Sequence, residues 1–321
     1  MKSRVASMTR GDSLLQRRFM RTAVVSTPGG PEAIQIVDRP MPIPGEGQVL
    51  IRVEAATVNP VDAQTRAGTY HDLGWVTVPE VGLGWDVVGT VDALGLGVET
   101  VATGDRVAVL IGGVDRPYSA YAEWILASAT DIAHVPSTLT SARAATIPLN
   151  ATTAHQALNL FGPPDGRSLL ITGAAGAVGN FAAEMAVRRG FAVTGLARPT
   201  DRDVVLNTGA SFMDTVPAGL VFDAALDAAA IGDTIVASIC DNGMYVGVVP
   251  PAVPAMTRGI TTQAIMASAD GPLLARLLDS ASRGEISTRV HSLLLLNDAP
   301  EAHRLMEAGG LRGRIVLVPN L

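Results

Sequence analysis

Seven residues, Gly173-Ala-Ala-Gly-Ala-Val-Gly179, stand between a short apolar run, Ser168-Leu-Leu-Ile-Thr172, and a helical pattern from Val178 to Arg189. No other stretch restricts the choice of fold as much. A strand that passes into a helix through such small side chains gathers backbone N–H groups at one point. The first helical turn then leaves free donors and a partial positive charge. An anion with several oxygens, a pyrophosphate above all, fits such a turn. The backbone of Ala174, Ala175, Gly176, Ala177, Val178 and Gly179 is expected to hold it. Gly176 lets the backbone approach, and Gly179 lets the helix pack on the sheet. In the common Gly-x-Gly-x-x-Gly spacing the first place falls on Ala174, so the pattern alone would suit a mere glycine-rich helix cap. A second strand, Phe191 to Ala197, follows in the right order and favours the ligand.

The rest of the chain fits around this unit. Residues 20–136 are rich in Val, Gly and Pro, with short apolar runs such as Gln48–Glu54, Val87–Val91 and Asp105–Ile111 set between turn signals. This reads as a small irregular β domain. From Ser137 to Phe161 Ala and Leu recur at helical spacing, with Ser141 as a candidate cap and Gly162-Pro163-Pro164 as the stop. Strands and helices then alternate, with further strands at Phe222–Leu226 and Met244–Val249, which predicts a doubly wound parallel sheet over 137–266. Residues 267–321 return to the first style, with strands at Val290–Leu296 and Arg314–Val318 around a helix, Ala299–Glu307.

The end of the second strand bears on which nucleotide fits. A carboxylate there would bind a ribose 2′-hydroxyl and repel a 2′-phosphate. This chain has Ala197, then Arg198, and Arg202 four residues on. A guanidinium pairs well with phosphate, so NADPH is expected over NADH.

Net charge is −6, which advertises no basic face for nucleic acid. No apolar stretch reaches the roughly 18 residues a membrane span needs. The one cysteine, Cys240, allows neither an internal disulfide nor a cysteine-rich zinc lobe, and it reads as a small buried apolar residue. A reducing, cytoplasmic setting agrees with that. Residues 1–19 carry Lys2, Arg4, Arg10, Arg17 and Arg18 against a single acid, Asp12, and read as a mobile leader or an upstream start ahead of Met20, with an Arg-rich targeting peptide as the alternative.

Several motifs resemble the quinone oxidoreductase and zeta-crystallin branch of the medium-chain dehydrogenase/reductase superfamily. They are Thr27–Glu32, Ala55–Asp62, Pro79–Val91, Tyr121–Trp124, Ala144–Leu149 with Thr152-Thr153-Ala154, and Gly313–Leu317, where Arg314 stands in the place of the usual Lys. The resemblance implies an α/β protein, a Rossmann doubly wound parallel sheet plus a GroES-like irregular β-barrel domain built from both chain ends, with the active site in the cleft. It also implies a homodimer formed through the cofactor domains near residues 245–265, although Pro250, Pro251 and Pro254 would limit pairing there. In zinc-bearing relatives a Cys, a His and a further Cys hold the metal. The matching places here are Asn59, Trp85 and Leu149, which are not a zinc ligand set, and Asp86 alone cannot hold the ion. The five histidines, His71, His134, His155, His291 and His303, are scattered and read as surface or packing residues.

Without a Lewis acid, hydride needs an already electrophilic acceptor such as a quinone, enone or enal, whose oxygen then requires a donor and a proton. By resemblance Asn59 binds the nicotinamide ribose or the substrate oxygen, and Asp62 orients it. Tyr70 donates to the carbonyl, Thr153 touches the nicotinamide or phosphates, and Arg314 serves the cofactor. Trp85 either walls the pocket or, as the preferred reading, packs in the core, and Tyr70 has a half-buried packing role as its alternative. As turn-capping residues, Asn59 and Asp62 would have no such part. The expected function is metal-free, NADPH-dependent reduction of a quinone. The alternatives are an enone, enal or enoyl-thioester reductase, or an NADPH-binding structural or RNA-binding protein of zeta-crystallin type.

Overall fold

A computed structural model of the protein describes residues 19–319. The leader reading lies outside the described residues except at Phe19, which opens a strand, Phe19–Val25, one residue ahead of Met20. Six parallel strands form one sheet, in the spatial order Ser211–Met213, Ala192–Leu196, Ser168–Thr172, Phe222–Asp227, Ile239–Gly247 and Thr261–Ala264. This is the doubly wound order. Chain direction across the sheet reverses between Ser168–Thr172 and Phe222–Asp227, and such a switch point opens a crevice beyond the strand ends. The Ser168–Thr172 strand is apolar on both faces because both are covered. Leu169 and Ile171 enter one core cluster and Leu170 another.

The strand ends at the crevice are tied together by a buried carboxylate. Asp227 accepts from the Thr172 hydroxyl at 2.5 Å, the Tyr245 hydroxyl at 2.7 Å and the Gly232 amide at 2.8 Å.

A seven-stranded sheet holds Val290–Leu295, Arg314–Val318, Gln48–Thr57, Asp86–Leu94, Arg106–Leu110 and Ile132–His134, and Trp124–Ser128 also pairs with Gln48–Thr57. A three-stranded sheet completes the GroES-like part. The last strand joins the first region of the chain, with Val316 opposite Thr57 and Leu317 opposite Ala56. That pairing carries the preceding arginine-rich segment to the cleft. Among the described residues no helix is long and apolar enough to cross a membrane.

Several details differ from the sequence expectations. The helical stretch before the parallel sheet is two helices, Ser141–Ala144 and Pro148–Leu160, because Pro148 can start a helix but not continue one. The cap of the first is Thr140, whose hydroxyl accepts from the Arg143 amide, while the Ser141 hydroxyl donates to Glu54 at 2.6 Å. A further helix, Gly271–Ser282, capped by Asp270, fills part of the segment expected to be mostly strands. The strand expected at Met244 starts at Ile239. The prolines form a 3-10 turn, Pro250–Ala252, and the sheet still gains the edge strand Thr261–Ala264 beyond it. Cys240 is only half-buried.

Candidate active site

A cleft of about 600 Å³ lies at the switch point and reaches into the GroES-like part. The glycine turn forms its floor. Gly173 takes a left-handed backbone, φ 57°, which brings the chain round beside Ala229. Gly179 has no room for a side chain, since a Cβ there would overlap the Gly173 carbonyl oxygen and sit 2.8 Å from its carbon. The helix Ala177–Arg189 starts at Gly176, which has no side chain to cap it, so the first-turn donors face the cleft unspent. Ala175, Gly176, Ala177, Val178 and Gly179 all line the cleft. Ala174 does not; it is fully buried, and its amide donates to Leu196. The turn fits a dinucleotide pyrophosphate: backbone donors, a helix N-terminus and no Cβ in the way.

A chain of largely buried polar side chains runs along the cleft wall. The Arg314 guanidinium donates to the Asn150 carbonyl oxygen. Asn150 Nδ2 donates to Asn59 Oδ1 at 3.0 Å, and Asn59 Nδ2 donates to Asp86 Oδ2 at 2.7 Å. Asp86 also accepts from the Thr57 hydroxyl and, at 2.6 Å, from the Leu149 amide. The sequence supports this arrangement. Asn59 ends the strand Gln48–Thr57 region and precedes the helix Pro60–Ala67, while Asp86 opens the neighbouring strand. Burial raises the Asp86 carboxyl, and its three hydrogen-bond donors and Arg314 oppose that rise. Burial pulls Arg314 down to about 10, against Asp86 and Asp62, so it stays charged at neutral pH. Arg314 Nε is buried without a partner among the described residues. Both donor hydrogens of Asn59 are spent on Asp86 and on Thr57, 3.2 Å away, and Oδ1 accepts from Asn150, which leaves only the second lone pair of Oδ1 for a ligand.

Asn59, Trp85 and Leu149, the places aligned with zinc ligands, meet on this wall. An amide, an indole and an alkyl side chain are not a zinc donor set. Among the described residues no group of three His, Cys, Asp or Glu side chains comes together as a metal site.

Asp62 lies behind the wall rather than on it. Its carboxylate accepts from the amides of Asn59 at 2.8 Å and Gly84 at 2.9 Å, and from the Tyr121 hydroxyl at 3.0 Å. Through the Asn59 amide, Asp62 fixes the backbone that carries Asn59. Burial pushes the Asp62 carboxyl up to about 7, more than its three hydrogen bonds pull it down. A carboxyl that binds its proton more tightly when folded stabilises the fold fully below its unfolded value, near 3.8, and loses that contribution as pH rises through about 7. Stability is thus expected to fall from about pH 4 to about pH 7, and Asp62→Asn should flatten that part of the profile. Urea unfolding of both proteins across this range checks it; equal slopes would contradict it.

The far lobe of the cleft is aromatic. Tyr70 stacks on Trp75, with ring centroids 5.6 Å apart and 13° between planes. The Tyr70 hydroxyl donates to Gln64 Oε1 at 2.7 Å, and burial raises its pKa, keeping it a neutral donor. Trp85 faces the same space, with the Arg116 guanidinium 5.9 Å from its ring. Thr153 lines the cleft and donates its hydroxyl to Leu149 at 2.7 Å.

Ala197, Arg198 and Arg202 lie outside the lining of this cleft, and the Arg198 side chain is exposed. Ala197 packs against the core, and its amide donates to Met213. Arg198 pairs with Asp201 at 2.7 Å, and Arg202 lies over Phe212 at 5.2 Å. Arg312 joins Asp201 from the far end of the chain at 3.3 Å, so two guanidiniums surround one buried carboxylate. Sequence reasoning missed Gln64, Trp75, Asn150, Arg289 and Arg312. Asp201, three residues beyond Arg198, was the one visible sign that the arginine had a partner.

The alcohol dehydrogenase GroES-like domain family matches residues 45–137, and the zinc-binding dehydrogenase family matches residues 198–317. A quinone oxidoreductase of Lama guanicoe is 37% identical over 200 residues, 60% of this chain. The aligned stretch spans 58% of that relative's length. The quinone oxidoreductase structure from Coxiella burnetii superposes with a TM-score of 0.84 at 27% identity, covering 94% of this chain and 99% of that one. A mycobacterial protein complexed with NADPH gives a TM-score of 0.78 at 27% identity, covering 94% of this chain and all of the other. With a glycine turn at the switch point, a GroES-like half closed by the last strand and these likenesses, the chain belongs to the medium-chain dehydrogenase/reductase superfamily, on its quinone oxidoreductase-like branch.

Proposed function

We propose that the protein is an NADPH-dependent, zinc-independent reductase of conjugated carbonyl compounds, with quinones as the principal acceptors. The observation that carries this reading is one cleft lined by both the glycine turn and an aromatic lobe holding a neutral tyrosine. When bound, NADPH supplies hydride from its nicotinamide ring. The turn holds the pyrophosphate through the amides after Gly176, and Asn59 accepts from a ribose hydroxyl through Oδ1. Arg314 fixes Asn59 through Asn150, and Asp62 fixes the backbone beneath it. Thr153 borders the nicotinamide side of the cleft. Arg198 and Arg312 outnumber Asp201 and leave that pole net positive, which favours a 2′-phosphate. On this reading residues 137–266 form the cofactor domain, 20–136 and 267–321 together form the substrate domain, and the working form is a homodimer.

Tyr70, Trp75 and Trp85 shape a flat apolar space for a ring. A conjugated acceptor reduced there would carry its new negative charge on the carbonyl oxygen. Tyr70 donates its hydrogen bond to that oxygen in place of Gln64 and passes on a proton, which solvent restores.

NADPH oxidation measured with naphthoquinones, benzoquinones, enones and enoyl thioesters, with and without a chelator, tests the assignment. Quinone turnover that ignores the chelator and prefers NADPH is expected. Tyr70→Phe should lower kcat with a quinone about a hundredfold to a thousandfold, the range typical of one lost oxyanion donor. Turnover confined to enoyl thioesters would replace the quinone reading. Salt-sensitive RNA binding with no NADPH oxidation would replace the enzyme reading altogether.

A further inference from the structure

Arg289 belongs to the return segment, yet its guanidinium sits on the glycine turn. Nη2 donates to the Ala175 carbonyl at 2.9 Å and the Gly176 carbonyl at 3.2 Å. Nη1 is buried and has no hydrogen-bond partner among the described residues. Arg289 makes no ion pair among those residues, and it lines the same cleft as the turn. The segment that carries it is pinned along the helix Ala177–Arg189. Asn180 donates to the Ser287 hydroxyl at 3.0 Å, Glu184 accepts from the Ser287 amide at 3.0 Å, and Arg188 donates to the Glu285 carbonyl at 2.9 Å. The head group is therefore held in place before any ligand arrives.

A cation largely withdrawn from water, short of one hydrogen-bond partner and without a carboxylate is costly to keep. Glu184 and Asp201 favour its charge from a distance, and Arg312 disfavours it. An anion beside the helix N-terminus supplies what is missing, and it must be one that also meets the first-turn amides. We propose that Arg289 is a pyrophosphate clamp, its free Nη1 closing on the phosphate oxygens from the side opposite the amides of Ala177–Gly179. The proposal rests on the dinucleotide reading above. It adds a cationic ligand that comes from the return segment of the chain and is already fixed against the turn before the cofactor binds. The two turn carbonyls hold one edge of the guanidinium, which leaves the other edge for the anion.

Fluorescence and calorimetric titrations with NADPH, NADH, ADP-ribose and nicotinamide mononucleotide test it, alongside melting of the ligand-free proteins. Arg289→Gln keeps a donor for the turn carbonyls and removes the charge. It should weaken NADPH, NADH and ADP-ribose alike by about tenfold to a hundredfold, the loss expected for one charge-assisted hydrogen bond. Nicotinamide mononucleotide, which has no pyrophosphate, should be unaffected. Arg289→Lys keeps the charge without the fork and should fall between the two proteins; should the Gln variant not fold, unchanged affinity in the Lys variant overturns the clamp. So does wild-type affinity in a folded Gln variant, which marks Arg289 as a structural tie. A loss confined to NADPH moves the guanidinium to the 2′-phosphate and also overturns it. A wild-type protein that binds none of the dinucleotides overturns the cofactor reading itself, a separate outcome from the others.

Discussion

Gly179→Val is expected to abolish measurable dinucleotide binding and to destabilise the fold by about 2–4 kcal/mol, at or above the usual cost of overpacking a tight site. The added Cβ meets only backbone: the Gly173 carbonyl group and Ala174 Cα, the latter at 3.0 Å. None of these atoms can rotate away as a side-chain end would. The helix must shift off the turn, and the amides of its first turn move with it. The nearby Gly176→Ala separates the two effects. A Cβ there lies 3.0 Å from the Gly173 oxygen, a milder conflict, but it stands on the cleft wall where a phosphate must approach. That variant should melt close to wild type and still bind NADPH more weakly. Chemical denaturation and NADPH titration of both variants check this. Wild-type affinity in Gly179→Val would contradict the placement of the anion.

Asp86→Ala is expected to cost about 3–5 kcal/mol, the usual result of stripping a buried polar cluster of its carboxylate. Asp86 is fully buried, and three donors converge on it from Thr57, Asn59 and Leu149. Alanine leaves all three facing a gap and deprives Arg314 of its nearest negative charge. Asn59 then loses the anchor that aims its amide. A drop in kcat larger than the rise in KM is expected in whatever protein remains folded. Asp86→Asn offers one acceptor where the donors need more, and it should lie between wild type and Ala in both stability and turnover. Urea unfolding with steady-state kinetics measures both. A loss under about 1 kcal/mol would show that the cluster contributes no more than ordinary surface polarity.

What could be read from the sequence was local. The strand, turn and helix around Gly173–Gly179 are contiguous, and every requirement of that turn is visible in seven neighbouring residues. The closing strand Arg314–Val318 showed itself through its apolar run, and Asn59 and Tyr70 through motif likeness. The helix Gly271–Ser282 was also legible in principle. Asp270 precedes Gly271-Pro272, and Leu273, Leu274, Leu277, Leu278 and Ala281 form one buried face. Gly and Pro there look like a turn, yet Pro is at home in a first helical turn.

What could not be read was long-range. Arg289 meets a turn 113 residues away, and Arg314 meets Asn150 across 164 residues. Nothing in the local pattern of either arginine records that meeting. Arg198 shows the reverse case. Its charge is visible in the sequence, and only the fold shows that it shares the carboxylate of Asp201 with Arg312. A charged side chain in sequence carries no statement of how much of it is left for a ligand.

A crystal structure of the protein grown with NADPH locates the cofactor. Pyrophosphate density is expected against the backbone amides of Ala177–Gly179, with the nicotinamide pointing toward Tyr70 and Trp85. Density for the dinucleotide elsewhere, or a different molecule filling the space beyond Thr172 while NADPH is in excess, would contradict that placement.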